Sequence, residues 1–356
     1  MTAILFAALI GAAQDEPVKP TQGQAVDVVF CIDCSGSMGG IIETAKQKIW
    51  TIVNAFVHEK PVPRLRIGII GYGNGEGEHR FFALSDDLDL VYRNLMTIKD
   101  EGWGDEWVGL AIKKATEEMK WTSEKGAARI IFVAGNETAM QGREEVLYTK
   151  TSPEAIKRGI IVNTIYCGAP SADEERTWLE AAKLADGYYV KIDQSGGSVT
   201  IETPFDKRLA ELTGQVNKTY VAYGEAGEAA KANQEEQDKN AQDHGGLANA
   251  ASRACSKNWA GYNCARWDLV DAMKDPKFKL EELKDEQLPG EMRKMTPEER
   301  KAYIEKMARE REAIQKEIDE LGKKRQAHID EEMKKANVDG ASAFDRQVTE
   351  LIQKCR

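Results

Sequence analysis

The chain has 356 residues, 42% of them hydrophobic and 30% charged, and a formal net charge of -10. That acidity argues against nucleic acid and anionic membrane as partners. The length fits two domains, and the apolar residues, concentrated in the first two-thirds, are sufficient for a packed core.

Residues 1–13, MTAILFAALIGAA, form an apolar run too short to span a bilayer. The run reads as the core of a secretory signal, with Gly11, Ala12 and Ala13 as a small-residue cleavage site. This predicts a secreted or periplasmic protein; without a signal the chain would stay cytoplasmic. No other stretch is apolar enough to predict an integral membrane span. Residues 14–25 are polar, carry Pro17 and Pro20, and read as a linker.

Val28, Val29, Phe30, Cys31 and Ile32 then make a short unbroken apolar run, the signature of a strand buried on both faces. Its character flips at Asp33, Ser35 and Ser37, which arrive at alternate positions. A carboxylate and two hydroxyls at the C-terminal end of a parallel strand sit where open α/β sheets hold ligands. All three are hard oxygen donors, which suits Mg²⁺. A helical period follows over residues 41–58 and stops at Pro61 and Pro63. Residues 65–72 read as a second buried strand, 73–77 as a glycine-rich turn, and 79–84 as an edge strand completing a hairpin.

Helices are expected at 87–98 and 108–121, with a Gly/Trp loop at 101–105 between them. Residues 129–134 form a third buried strand, ending in Gly135-Asn136-Glu137. Ser152-Pro153-Glu154 reads as a helix start. Strands at 160–166 and 188–192 flank a helix at 173–185, and a helix at 205–217 closes the unit. Strands alternating with helices predict an α/β fold: a doubly wound, mostly parallel sheet with one antiparallel edge hairpin.

Beyond residue 223 the composition changes. Residues 224–247 have almost no large apolar side chain and read as a polar linker or a solvated helix. Residues 248–356 predict an α-helical region, with Trp259, Tyr262, Trp267, Leu269 and Val270 as packing residues. A long helix is expected over about 296–336, opened by Thr296 at the N-cap, Pro297 at N1 and Glu299 at N3. Ile304, Met307, Ile314, Ile318, Leu321 and His328 keep a heptad spacing that Arg311 and Arg325 interrupt. The pattern predicts a partly coiled-coil arm, open to self-association. Asp339-Gly340 predicts a turn, and the stripe Phe344, Val348, Leu351 and Ile352 a last helix folded back on the long one. Removing residues 295–356 is then expected to leave residues 26–223 folded.

The spacing Asp33-x-Ser35-x-Ser37 after an apolar strand resembles the metal-ion-dependent adhesion site of the von Willebrand factor A (VWA) family. The resemblance covers about residues 26–223 and implies a site drawn from three loops at one sheet edge. In the family the second loop gives a Thr, and Asp105 falls at that position, after Gly102-Trp103-Gly104. The third loop gives an Asp, and Asn136 falls there. The implied ligand set is therefore Asp33, Ser35, Ser37, Asp105 and Asn136, for Mg²⁺ or Mn²⁺, with Glu137 nearby. The carboxylate moves from loop three to loop two, so the ligand charge is unchanged. The resemblance implies a protein-binding module whose cation engages an acidic residue of a protein partner. A carboxylate at Asp105 would weaken that pull.

Two other functions stay open on the residues. One is a metal-free scaffold acting through its helical C-terminal region. The other is a phosphohydrolase with Asp33 as phosphotransfer aspartate, but Ser35 stands where such enzymes need a second Asp. No acid/base pair is evident, so an enzyme is not expected. Cys31 and Cys34, in extended chain, would lie about 10 Å apart, beyond disulfide reach. Cys255 and Cys264 are close in sequence and could bridge or stay free. His58, His79, His244 and His328 are scattered, without zinc spacing.

Overall fold

The protein is seen in a computed structural model that describes residues 23–54, 61–193, 200–335 and 344–355. The signal expected at residues 1–13, most of the linker at 14–25 and the turn at Asp339-Gly340 lie outside these residues.

The strands follow the apolar runs: β1 Ala25–Asp33, β2 Arg64–Tyr72, β3 Arg80–Ser85, β4 Ala128–Gly135, β5 Ile161–Cys167 and β6 Tyr189–Ile192. They form a six-stranded sheet in the order β3-β2-β1-β4-β5-β6. Every pairing is parallel except β2 with β3, the expected antiparallel edge hairpin. β1 is buried along its whole length because it pairs on both sides and is covered on both faces. The chain leaves β1 toward β2 and β3, then returns to lay β4 on the other side. Its C-terminal end is thus a topological switch point, where connecting loops diverge and leave a crevice.

Helices cover both faces: α1 Gly39–Asn54, α2 Leu88–Thr97, α3 Val108–Glu118, α4 Tyr148–Lys157, α5 Ala172–Lys183 and α6 Asp206–Asn217. Alternation along β1 divides the core. Val28, Phe30 and Ile32 face α1 and α2, with Phe30 stacked on Phe132 at 5.4 Å. Val29 and Cys31 face α3, α4 and α5. Two helix starts follow local chemistry: Asp87 caps α2 through Asp89 and Leu90, and Ser171 and Glu174 close a capping box on α5. α4 departs from expectation. It begins at Tyr148, with Pro153 inside it, because buried Val146 and Tyr148 anchor the segment before the proline.

The C-terminal half is packed onto this sheet. Residues 224–247, expected as a polar linker or a solvated helix, lie for the most part in α7, Gly227–Lys257, a helix broken at Gly245 and Gly246, where Gly246 takes a φ of 62°. Its buried positions include Gln234, Gln237 and Ala241, so small and amide side chains do the packing that large apolar ones usually do. α8 spans Leu269–Ala272, α9 Pro297–Lys335 and α10 Phe344–Lys354. The capping box on α9 forms: Thr296 N donates to Glu299 Oε2 at 2.8 Å, and Glu299 N to Thr296 Oγ1 at 3.3 Å.

Arg311 and Arg325 continue the α9 seam rather than interrupting it. Arg311 bonds Asp268 Oδ2 at 2.7 Å and the Thr219 carbonyl at 2.7 Å, and its guanidinium lies 4.0 Å from the Tyr220 ring centroid. Arg325 bonds Asp206 Oδ1 at 2.7 Å. The seam is thereby buried against α6, α7 and α8 of the same chain. α10 does not follow the expected pairing with α9 either. It packs on α1, and Val348, Leu351 and Ile352 join the core of the sheet. The six cysteines are unpaired, Cys255 and Cys264 included. Among the described residues no helix is long and apolar enough to cross a membrane.

Candidate functional site

Three loops converge at the C-terminal end of β1. Loop one begins at Asp33, which is buried; its Oδ1 accepts from Ser35 N at 2.8 Å and its Oδ2 from Ser35 Oγ at 3.1 Å. Gly73, at the end of β2, makes room for this carboxylate: a Cβ there would stand 2.8 Å from Asp33 Oδ1, at a φ of 120°. Loop two is stitched to its neighbours through backbone. Glu101 N donates to the Cys34 carbonyl at 2.9 Å, Asp105 N to the Gly73 carbonyl at 3.1 Å, and Gly75 N to the Asp105 carbonyl at 2.8 Å.

This lacing decides which carboxylate enters the site. Asp105 has both backbone groups tied to the β2–β3 turn, and its side chain is exposed beside Gly75. Among the described hydrogen bonds, none joins the Asp105 side chain to Asp33. The next residue, Glu106, is 2% exposed, and its carboxyl is electrostatically linked to Asp33 and Ser35. Its backbone N–H donates to Gln141 Oε1 at 3.0 Å, and Gln141 Nε2 donates to Glu137 Oε2 at 2.7 Å.

Loop three follows β4. Asn136 donates from Nδ2 to Ser37 Oγ at 2.6 Å, while its carbonyl accepts from Tyr166 Oη at 2.6 Å. Asn136 Oδ1 is buried and has no hydrogen-bond partner. Asp33 is thus bonded to Ser35, and Asn136 to Ser37. Glu106 is the member that sequence reasoning missed. Loop two offers two adjacent carboxylates without periodicity, and only the backbone bonds to Gly73 and Gly75 tell them apart.

The oxygen set fits a hard divalent cation: two carboxylates, two hydroxyls and an amide oxygen lacking a donor. Among the described residues no three His, Cys, Asp or Glu side chains gather as a metal-binding group, so hydroxyl and amide oxygens are needed beside the carboxylates.

Burial and mutual repulsion shape the electrostatics. Burial pushes Asp33 up to about 6, against its bonds to Glu106 and Ser35. Burial, the bond to Asp33 and the Asp33 charge push Glu106 up to about 9. Both carboxyls hold protons more tightly folded than unfolded. Their stabilising contribution is complete below the unfolded values of 3.8 and 4.5 and is lost as pH rises through the folded ones. In chelator, the melting temperature should therefore fall between about pH 6 and about pH 9. Glu106→Gln should flatten the upper part of that fall. A melting temperature independent of pH over this window, measured by calorimetry, would contradict the raised carboxyls.

Among solved structures, the chain is similar to the conserved hypothetical protein BatB from Bacteroides thetaiotaomicron, at 21% identity over 47% of this chain and 90% of that one, with a TM-score of 0.38. The SpRpn10 VWA domain matches at 17% identity over 48% of this chain and 88% of that one, with a TM-score of 0.36. Proximal thread matrix protein 1 from the mussel byssus, with a zinc-occupied MIDAS motif, matches at 14% identity over 48% of this chain and 42% of that one, with a TM-score of 0.39. No curated protein matches the chain. Residues 28–137, from β1 through loop three, match the model of the von Willebrand factor type A domain.

Proposed function

We propose that this sheet edge is a divalent-cation site, for Mg²⁺ or Mn²⁺, and that the protein uses it as a binding module for a protein partner. The observation that carries the reading is the burial of Asp33, Ser35 and Glu106 at this edge, beside loop three, where Asn136 Oδ1 is buried without a hydrogen-bond partner. Asp33, Ser35, Ser37 and Asn136 would hold the ion; Asp105, exposed beside Gly75, is set aside. A bound cation supplies Lewis acidity and a coordination position at the protein surface. The chain's own residues fix the loops through backbone bonds, so the cluster is organised before any partner arrives.

The rim fits a protein surface. Met140 of loop three is 47% exposed, and Trp103 of loop two is half-buried. Aromatic residues and Met are enriched in protein interfaces. We place the protein outside the cytoplasm on the apolar run at residues 1–13 alone.

Calorimetric titration with Mg²⁺ and Mn²⁺ tests the reading. The wild type should bind, and a folded Asp33→Ala, Ser35→Ala double variant should not. No heat with the wild type, or equal binding by the variant, would overturn it.

A further inference from the structure

We propose that Lys257 and Asn217 join in an intramolecular isopeptide bond, with Asp238 as the group that carries the protons. The bond ties the last residue of α6 to the last residue of α7.

The three side chains are placed for that chemistry. Lys257 Nζ donates to Asn217 Oδ1 and, at 2.9 Å, to Asp238 Oδ2. Asn217 Nδ2 donates to the same carboxylate oxygen at 2.7 Å. The amide thus turns its carbonyl toward the amine and its leaving nitrogen toward the carboxylate. The flipped amide would set NH2 against an ammonium and an oxygen against a carboxylate, so the network admits only this orientation. An amine held on a carbonyl in this way meets it at a very high effective concentration. The setting is dry. Lys257 is 2% exposed, the Asp238 side chain 12%, and the Tyr220 ring centroid lies 5.7 Å from Nζ.

The step balances without an oxidant or a co-reactant. Asp238 takes one proton from the Lys257 ammonium, and the neutral amine attacks Asn217 Cγ. A second proton then passes from Nζ through Asp238 to Nδ2. The Cγ–Nδ2 bond breaks, ammonia leaves, and Asp238 ends protonated. Burial lowers the pKa of Lys257, which eases loss of the first proton. Against burial, the charges of Lys257 and Arg253 hold Asp238 low, so it begins as a proton acceptor. That hold slackens once Lys257 is neutral. A buried ion pair is replaced by two uncharged groups, and Arg253 keeps Asp89 as its counter-charge. With all six cysteines unpaired, the isopeptide supplies a cross-link that disulfides do not. It closes a loop around α7, the break at Gly245 and Gly246 included, and restricts the unfolded chain as a disulfide does.

Tryptic peptide mapping of the purified full chain by mass spectrometry tests the proposal. The wild type should give a branched peptide that joins the segments of Asn217 and Lys257 and is lighter than their sum by one ammonia. Trypsin should not cut after the acylated Lys257. In a denaturing gel the looped wild type should run ahead of Lys257→Arg, which keeps the positive charge and cannot form the bond. Asp238→Asn keeps the size, loses the proton carrier, and should lose the branched peptide. Linear peptides with cleavage after Lys257 in the wild type would overturn the proposal and leave an ordinary buried ion pair. A branched peptide formed in full by Asp238→Asn would overturn the role given to Asp238.

Discussion

Deleting residues 295–356 is expected to abolish the cooperative unfolding of the remaining chain. The sequence pattern suggests the opposite, since the sheet carries its own strands and an apparent linker follows it. The packing reverses that expectation. Val348, Leu351 and Ile352 of α10 are at most 2% exposed and belong to the core between the sheet and α1. Ile304, Met307 and Ile318 of α9 are buried against the helices that cover the same side. Full burial of such side chains stabilises by about 1.5–3 kcal/mol each. Their combined loss rivals the whole stability of a typical domain, about 5–15 kcal/mol. The deletion also strands Asp268 and Asp206, whose guanidinium partners are on α9. Calorimetry of residues 23–294 should show a broad transition or none; a sharp transition near the wild-type temperature would show that the α/β unit stands alone.

The second large effect is expected at Arg253. Its side chain is fully buried between the rings of Trp50 and Tyr262, with centroids at 4.4 and 5.2 Å. It pairs with Asp89 of α2, and with Asp238 of α7 at 2.9 Å. Lys257 reaches Asp238 at 2.9 Å, and the Tyr262 hydroxyl donates to Asp89 at 2.7 Å. Arg253→Met keeps much of the volume and leaves Asp89 without its buried cation. Breaking a buried pair from one side costs about 3–5 kcal/mol, because the remaining charge is uncompensated. Urea denaturation should show that loss. Arg266→Ala, at an exposed pair with Asp86 and Asp87, should change little. A midpoint shift at Arg253→Met no larger than at Arg266→Ala would show that the network carries no weight.

The strands were legible because a strand buried on both faces leaves an unbroken apolar run, as in Val28–Ile32, which nothing polar can imitate. The capping box of α9 was legible because it is local chemistry. What sequence hid was burial of polar residues. Gln234 and Gln237 look like solvated linker, and Arg311 and Arg325 look like flaws in a heptad. Each is buried because its partner comes from a distant segment, as Arg311 finds Asp268 and Arg325 finds Asp206. No window along the chain contains both members. In the site, the alternation Asp33, Ser35, Ser37 was readable for the same reason as the strand. The choice between Asp105 and Glu106 was not, since it depends on hydrogen bonds to the β2–β3 turn thirty residues earlier.

The two faces of the sheet differ in when the growing chain can complete them. The face carrying Val29 and Cys31 is closed by residues that end with β6. The opposite face draws on Tyr220, Trp259 and Trp267, and finally on α10. α1 and α10 are separated by nearly the whole chain, so their contact is among the most non-local the molecule makes. Such contacts carry the largest loop-closure cost and form late. A nascent molecule therefore passes through a stage with one finished side and one bare apolar side. That stage is the one exposed to aggregation, and its lifetime is set by how soon the last helix is made and docked.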